Sequence, residues 1–169
     1  MDYIKAEILP VRATEADEIG NLSRLATRIV RQHFDSIIGT EQNDYMLQRF
    51  QTPRAIRQQL QEGYRYYWVM ADGQAAGFLA FLLRDEKLYL SKFYIAQEWR
   101  GHHLAQQMHA FVCDEARRQK LPAIFLNVNR DNTDVIAIYE HLGFRKIREE
   151  KNDIGNGFFM DDFVMEYRL

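Results

Sequence analysis

One stretch concentrates the chemistry: Leu88–Ala105, read LYLSKFYIAQEWRGHHLA. An apolar strand runs into Arg100-Gly101-His102-His103-Leu104-Ala105, and a helical pattern follows at once. The first amides of a helix lack internal acceptors, and the helix dipole is positive at that end. Such a place binds phosphate. Arg100 adds a planar, permanently charged fork. These residues alone also fit an ordinary strand-to-helix turn.

A second set is spaced along a short helix: Asn132, Tyr139, Gly143 and Phe144. Taken alone, Tyr139 reads as a packing aromatic. His109 and Cys113 lie at i, i+4 and could share a metal with His102 or His103, but no second Cys or Glu/His pair completes a tetrahedral set. Cys113 falls mid-helix beside Val112, where thiols are commonly buried and inert. Phe158-Phe159-Met160 reads as core or rim.

Together these stretches resemble the GNAT superfamily of N-acetyltransferases. The family's pyrophosphate loop reads Arg/Gln-Gly-x-Gly-x-Gly/Ala, and residues 100–105 are similar to it, with His103 at the middle glycine. Glycine there takes positive φ, which histidine tolerates better than most residues. The family's Asn-x-x-Ala-x-x-x-Tyr-x-x-x-Gly-Phe is matched from Asn132 to Phe144, with Val135 at the alanine. The resemblance runs from Ile8 to Tyr167. It implies a mixed α/β fold: a mostly antiparallel sheet of six to seven strands, helices on both faces, and a splayed central pair, Lys87–Ile95 beside Ala123–Asn129. It implies acetyl-CoA as co-substrate and no metal. The segment Phe93, Tyr94, Ile95 would take the pantetheine, Arg100, Gly101, His102, His103, Leu104 and Ala105 the pyrophosphate, and Asn132 would lie near the cofactor. Tyr139 would protonate the leaving thiolate.

An amine then attacks the thioester directly. A lysine-like amine titrates near 10.4, so neutralising it at pH 7 costs about 4.6 kcal/mol. A general base or a desolvating pocket is therefore useful. Some relatives carry Glu near position 89, where this chain has Tyr89. Asp85 and Glu86 stand in a hairpin turn, where solvation explains them. A water relay or Tyr89 stays open as the base.

Two stretches hold acids and no Lys or Arg: 32–48, with Asp35, Glu41 and Asp44, and 152–167, with Asp153, Asp161, Asp162 and Glu166. In the family, loops in these two regions border the acceptor. An acidic rim there would attract a cationic amine; two solvated acidic loops would look the same. His33-Phe34 and the tail Gly155–Met165 are similar to the bacterial PaiA-like branch, which acetylates polyamines. The expected acceptor is a small, polyamine-like amine. A protein or peptide amine is the alternative within the same chemistry, and a non-catalytic acyl-CoA-binding module the alternative outside it. A homodimer is one assembly this reading allows.

Composition agrees. The chain has 169 residues, 22 basic and 24 acidic, for a net charge of −2. No global cationic surface points to nucleic acid or an anionic membrane. The longest clear apolar run, Gly77–Leu83, is far short of the ~20 residues a membrane helix needs. One cysteine excludes an internal disulfide and points to a reducing, cytoplasmic setting. The start does not read as a signal peptide. No linker or repeat divides residues 1–169, so one domain is expected.

The elements that must position these residues follow from periodicity. Ile4–Ala13 reads as a strand, and Thr14-x-x-Asp17 as a capping box opening a helix. Residues 32–40 break that helix's pattern. A short helix covers Glu41–Phe50, and Thr52-Pro53 starts another that Gly63 ends. Tyr64–Ala71, Gln74–Arg84 and Lys87–Ile95 are strands, the first two joined by a hairpin at Asp72-Gly73. Leu104, Met108, Phe111, Val112 and Ala116 form a helical stripe. Ala123–Asn129 is a strand, Thr133–His141 a helix ended by Gly143, and Phe163–Leu169 a last strand.

Overall fold

The computed structural model describes residues 2–12 and 14–169. Its elements are β1 (Ala6–Pro10), α1 (Ala16–Ile38), α2 (Thr40–Phe50), α3 (Pro53–Gln61), β2 (Arg65–Ala71), β3 (Gln74–Arg84) and β4 (Lys87–Ile95). A short 3-10 turn (Gln97–Trp99) follows, then α4 (Leu104–Arg118), β5 (Ala123–Asn129), α5 (Thr133–Leu142), β6 (Arg145–Gly155) and β7 (Phe158–Arg168). The fold is mixed α/β, with a seven-stranded sheet in the order β1-β2-β3-β4-β5-β7-β6. Most pairs are antiparallel; β4 and β5 are parallel. The β4–β5 register runs only through Leu88 opposite Ile124 and Tyr89 opposite Phe125, although β5 goes on to Asn129. A splayed pair requires such an early end. No helix among the described residues is long and apolar enough to cross a membrane.

The chain forms two compact units. The first holds residues 1–82 and 92–108. Its core sets Ile19, Leu22, Ala26 and Ile29 of α1 and Ile56 of α3 against Tyr66, Phe78 and Ala80 of the sheet. A second cluster joins Leu104, at the start of α4, to Ala71, Ala76 and Ile95. Phe78 and Ala80 of β3 belong to the first cluster and Ala76 to the second, divided at the register shift opposite Val69/Met70, so helices cover both faces here. Gly77 makes this possible. A Cβ there would lie 2.1 Å from the Tyr94 carbonyl oxygen, so β3 and β4 approach only because that atom is missing.

The second unit holds residues 83–91 and 109–169. In it His109 of α4 stands edge-on to Phe144 and Tyr167, and Tyr139 of α5 tilts against Phe144. Gly143 closes α5 in the left-handed region, φ 106°, packed under Tyr167.

Three local expectations change. The Thr14 capping box does not form: α1 starts at Ala16, with Glu15 at the N-cap and no side-chain cap. Instead, Glu18 accepts from Arg12 Nε at 3.0 Å and from the Trp68 indole at 2.9 Å. Residues 32–38 continue α1 to Gly39, whose φ of 86° stops it. Residues 145–155 form a strand, β6, that periodicity misses. It is an edge strand, charged and mostly exposed, so it lacks the alternation of a half-buried strand. Residues 152–167 are accordingly strand and tight turn. Thr52 caps α3 as expected, its hydroxyl accepting from the Ala55 amide at 3.1 Å.

Candidate active site

Residues 92–105, from the end of β4 to the start of α4, lie in the first unit. Phe93, Tyr94 and Ile95 end β4 as half-buried residues. Tyr94 packs on Phe78, ring centroids 5.3 Å apart, and meets the edge of Phe34. The 3-10 turn leads to Arg100, and Gly101 and His103 both take positive φ, 81° and 63°. His103 thus adopts the backbone that glycine would supply at that place. The amides of Gly101, His102, His103, Leu104 and Ala105 have no backbone acceptor among the described residues. They open onto α4, whose dipole favours an anion at that end.

Several side chains hold this loop, and sequence reading missed two of them. Gln107 Nε2 donates to the carbonyls of Ile4 (2.7 Å) and His103 (3.2 Å), while its Oε1 accepts from the Ala6 amide at 2.8 Å. The His102 carbonyl accepts from the Ile4 amide at 3.2 Å, and its ring Nδ1 lies 2.9 Å from the Asp2 carbonyl. His33, late in α1, meets the Arg100 guanidinium with its ring nitrogens, Nε2 the nearer and Nδ1 2.9 Å away. Burial and then the charge of Arg100 hold the His33 ring down to about 4, so it stays neutral and can accept. His33 reaches the loop from 67 residues away, and Gln107, four residues after His103, ties the loop to Ile4, 103 residues before it. No local signal marks them.

Lys92 precedes the segment on β4. Its ammonium lies 5.7 Å from the centroid of the Phe50 ring, and burial pushes it down to about 8.

The other expected residues lie in the second unit. Asn132 is the N-cap of α5, is 6% exposed, and makes no side-chain cap bond. An Asn at an N-cap ordinarily bonds the second or third amide of its helix. Here the amide side chain is left for other use. Tyr139 is buried on the same helix. Tyr89, an open choice for the base, is stacked on Phe125 at 5.0 Å with the Arg84 guanidinium 4.3 Å over its ring. Asp85 and Glu86 occupy a tight turn, both with positive φ. His109 and Cys113 do meet, Nε2 to Sγ 3.5 Å, but among the described residues no group of three His, Cys, Asp or Glu could hold a metal ion. Burial raises the Cys113 thiol.

The acid-only stretches are not open fields. Asp44 pairs with Arg31 at 2.6 Å, and Asp35 lies 3.9 Å from the same guanidinium. Asp161 pairs with Arg130 at 2.9 Å and Glu166 with Lys87 at 2.5 Å. Asp153 accepts from the Gly155 amide at 2.8 Å. Asp162 differs: it is 2% exposed and has no ion pair among the described residues.

A loop of outward amides led by an arginine can hold a polyanion, and a profile of known proteins matches this region. It is that of the acetyltransferase (GNAT) family, over residues 30–144. The chain belongs to the GNAT acetyltransferase family. The family's chemistry is acetyl transfer from acetyl-CoA to an amine, and this member is an N-acetyltransferase. No curated protein sequence matches the chain. Solved structures share the fold. The PaiA N-acetyltransferase of Thermoplasma acidophilum, solved with coenzyme A, is 18% identical, with 98% of this chain and 99% of that chain covered and a TM-score of 0.76. A GCN5-related N-acetyltransferase of Rhodopseudomonas palustris is 12% identical over 100% and 99%, TM-score 0.80. The ribosomal-protein-alanine N-acetyltransferase of Brucella melitensis is 18% identical over 96% and 99%, TM-score 0.65.

Proposed function

We propose that this acetyltransferase is a single catalytic domain that acetylates the primary amine of a small cationic acceptor by direct attack. The observation that carries the reading is the loop Arg100–Ala105: five consecutive amides without backbone acceptors, an arginine at their head and a helix dipole behind them. That arrangement fits the pyrophosphate of acetyl-CoA. In this reading the backbone of Phe93, Tyr94 and Ile95 pairs with the pantetheine arm. His33 and Gln107 hold the loop in its binding shape. The free amide of Asn132 lies near the cofactor, and Tyr139 gives a proton to the departing thiolate. The acidic residues of 32–48 and 152–167, Asp162 above all, favour a cationic acceptor over an anionic one. PaiA-type enzymes are the likeness that suggests a polyamine.

Thiol release from acetyl-CoA, measured with polyamines, free amino acids and short peptides, tests the reading. Polyamines are expected to give the highest kcat/KM. Tyr139→Phe is expected to lower kcat by ~100-fold, the usual scale for one general acid. A preference for neutral or anionic acceptors, or for peptides, would overturn the acceptor assignment. Acetyl-CoA binding with no thiol release would overturn the catalytic one.

A further inference from the structure

The sequence leaves the general base unassigned, and the second unit buries one acid that the ion pairs do not use. Asp162 of β7 is 2% exposed. It stands opposite Asn129, the last residue of β5, and opposite Glu150 of β6. In open sheets with parallel strands, ligands bind beyond the carboxyl ends of those strands. Asn129 is the carboxyl end of β5, and the loop after it reaches Asn132, the N-cap of α5.

Asp162 has no cation of its own: Arg130, whose charge reaches it, is paired with Asp161 and Glu149. Its neighbours along β7, Asp161 and Glu166, have ion pairs with Arg130 and Lys87. Among the described residues, Asp162 receives the side-chain amide of Asn127, which also donates to Glu150 Oε2 at 3.2 Å. Burying a carboxylate without a paired cation is unfavourable. An asparagine would fill the same volume and accept the same bond without that cost. A cation that arrives from outside accounts for a carboxylate in that place.

We propose that Asp162 is the catalytic base that takes a proton from the acceptor's ammonium group, an assignment that rests on the acetyltransferase reading above. The ammonium N–H bond breaks toward the carboxylate. The freed nitrogen pair forms the N–C bond to the acetyl carbonyl carbon, and the C–S bond breaks. A second nitrogen proton reaches the thiolate by way of Tyr139, and Asp162 returns its own proton to solvent.

The groups facing Asp162 set its titration. Burial raises its carboxyl to about 6, the Asn127 bond and the charge of Arg130 lower it, and Glu150 and Asp161 raise it. A base near the working pH serves proton transfer well.

The test is the pH profile of kcat with 1,4-diaminobutane and acetyl-CoA, for wild type, Asp162→Asn, Asp162→Glu and Asn127→Ala. Wild type should lose activity below pH ~6 along a one-proton limb. Asp162→Asn should lose ~100-fold or more in kcat together with that limb, while its acetyl-CoA affinity by calorimetry stays within about twofold. Asp162→Glu should recover part of the rate. Asn127→Ala removes a bond that favours the charged form, so its limb should move to higher pH. A purely structural aspartate would not move the limb in Asn127→Ala. Should Asp162→Asn fail to fold by circular dichroism, that shift decides alone. The proposal is overturned if Asp162→Asn keeps kcat within about threefold, or if the limb is the same in all variants. Wild-type turnover with no such limb overturns the base alone. No wild-type turnover with any amine overturns the acetyltransferase reading, and the base with it.

Discussion

His33 and Asp162 are side chains whose neutral forms the fold favours, and their effects on stability run in opposite directions. For His33 the folded value, about 4, lies below the ordinary 6.5, so the native state binds fewer protons between them. Its contribution is present above pH 6.5 and is lost as pH falls toward 4. For Asp162 the folded value, about 6, lies above the ordinary 3.8, so the native state binds more protons. Its penalty begins as pH rises past 3.8 and is complete above 6. Asp162→Asn should therefore gain roughly 1–3 kcal/mol at pH 7 and show no gain near pH 3.8. His33→Gln should flatten the loss between pH 6.5 and 4. Urea unfolding across this range checks both, and an Asp162→Asn gain that is the same at pH 4 and pH 7 would refute the linkage. Stability bought by removing Asp162 at the expense of rate is the pattern of a functional residue.

At the scale of elements, the donor-binding segment depends on how closely β3 approaches β4. Gly77→Ala places a methyl 2.1 Å from the Tyr94 carbonyl oxygen, and that atom is backbone, so the strand itself must shift. The expected cost is about 1–3 kcal/mol, the usual range for overpacking. Because Tyr94 lies in the segment assigned to the pantetheine arm, KM for acetyl-CoA should also rise, by several-fold. Thermal unfolding and steady-state kinetics check the two effects; an unchanged Tm would mean the strands separate freely. The β6–β7 hairpin shows where element reading fails and where it need not. β6 is charged and exposed along most of its length, so no apolar alternation marks it. Its turn is marked: Asn156-Gly157, with φ of 54° and 79°, is the dipeptide that favours a type I′ hairpin.

Across the whole molecule, the charges cancel chiefly through nearby partners. Arg31, Arg130 and Lys87 come from outside the two acid-only stretches and meet Asp44, Asp161 and Glu166. The long-range field of those stretches is therefore weak, and a cationic acceptor would be recognised at short range, at groups such as Asp162. KM for 1,4-diaminobutane should accordingly rise less than about threefold between ~0.05 and ~0.5 M salt, since screening acts on exposed charges and little on buried ones. A tenfold rise would mean that an open acidic field does the steering.

What the sequence by itself determined lies within a few residues of its cause. Asp72-Gly73 makes a tight turn because both residues accept positive φ, and Thr52-Pro53 opens α3 because a hydroxyl and a ring suit the first turn. Arg100–Ala105 reads as an anion loop because strand, glycine and helix start are contiguous, and His103 holds that shape at φ 63°. Family membership rests on the same short spacings. The tertiary structure alone decided which acids are paired, that Asp162 is buried without an ion pair among the described residues, that β6 is a strand, and that His33 and Gln107 hold the loop. Burial and long-range partners are properties of the packed chain. A carboxylate's neighbours in sequence do not say what will exclude water from it or which cation will reach it.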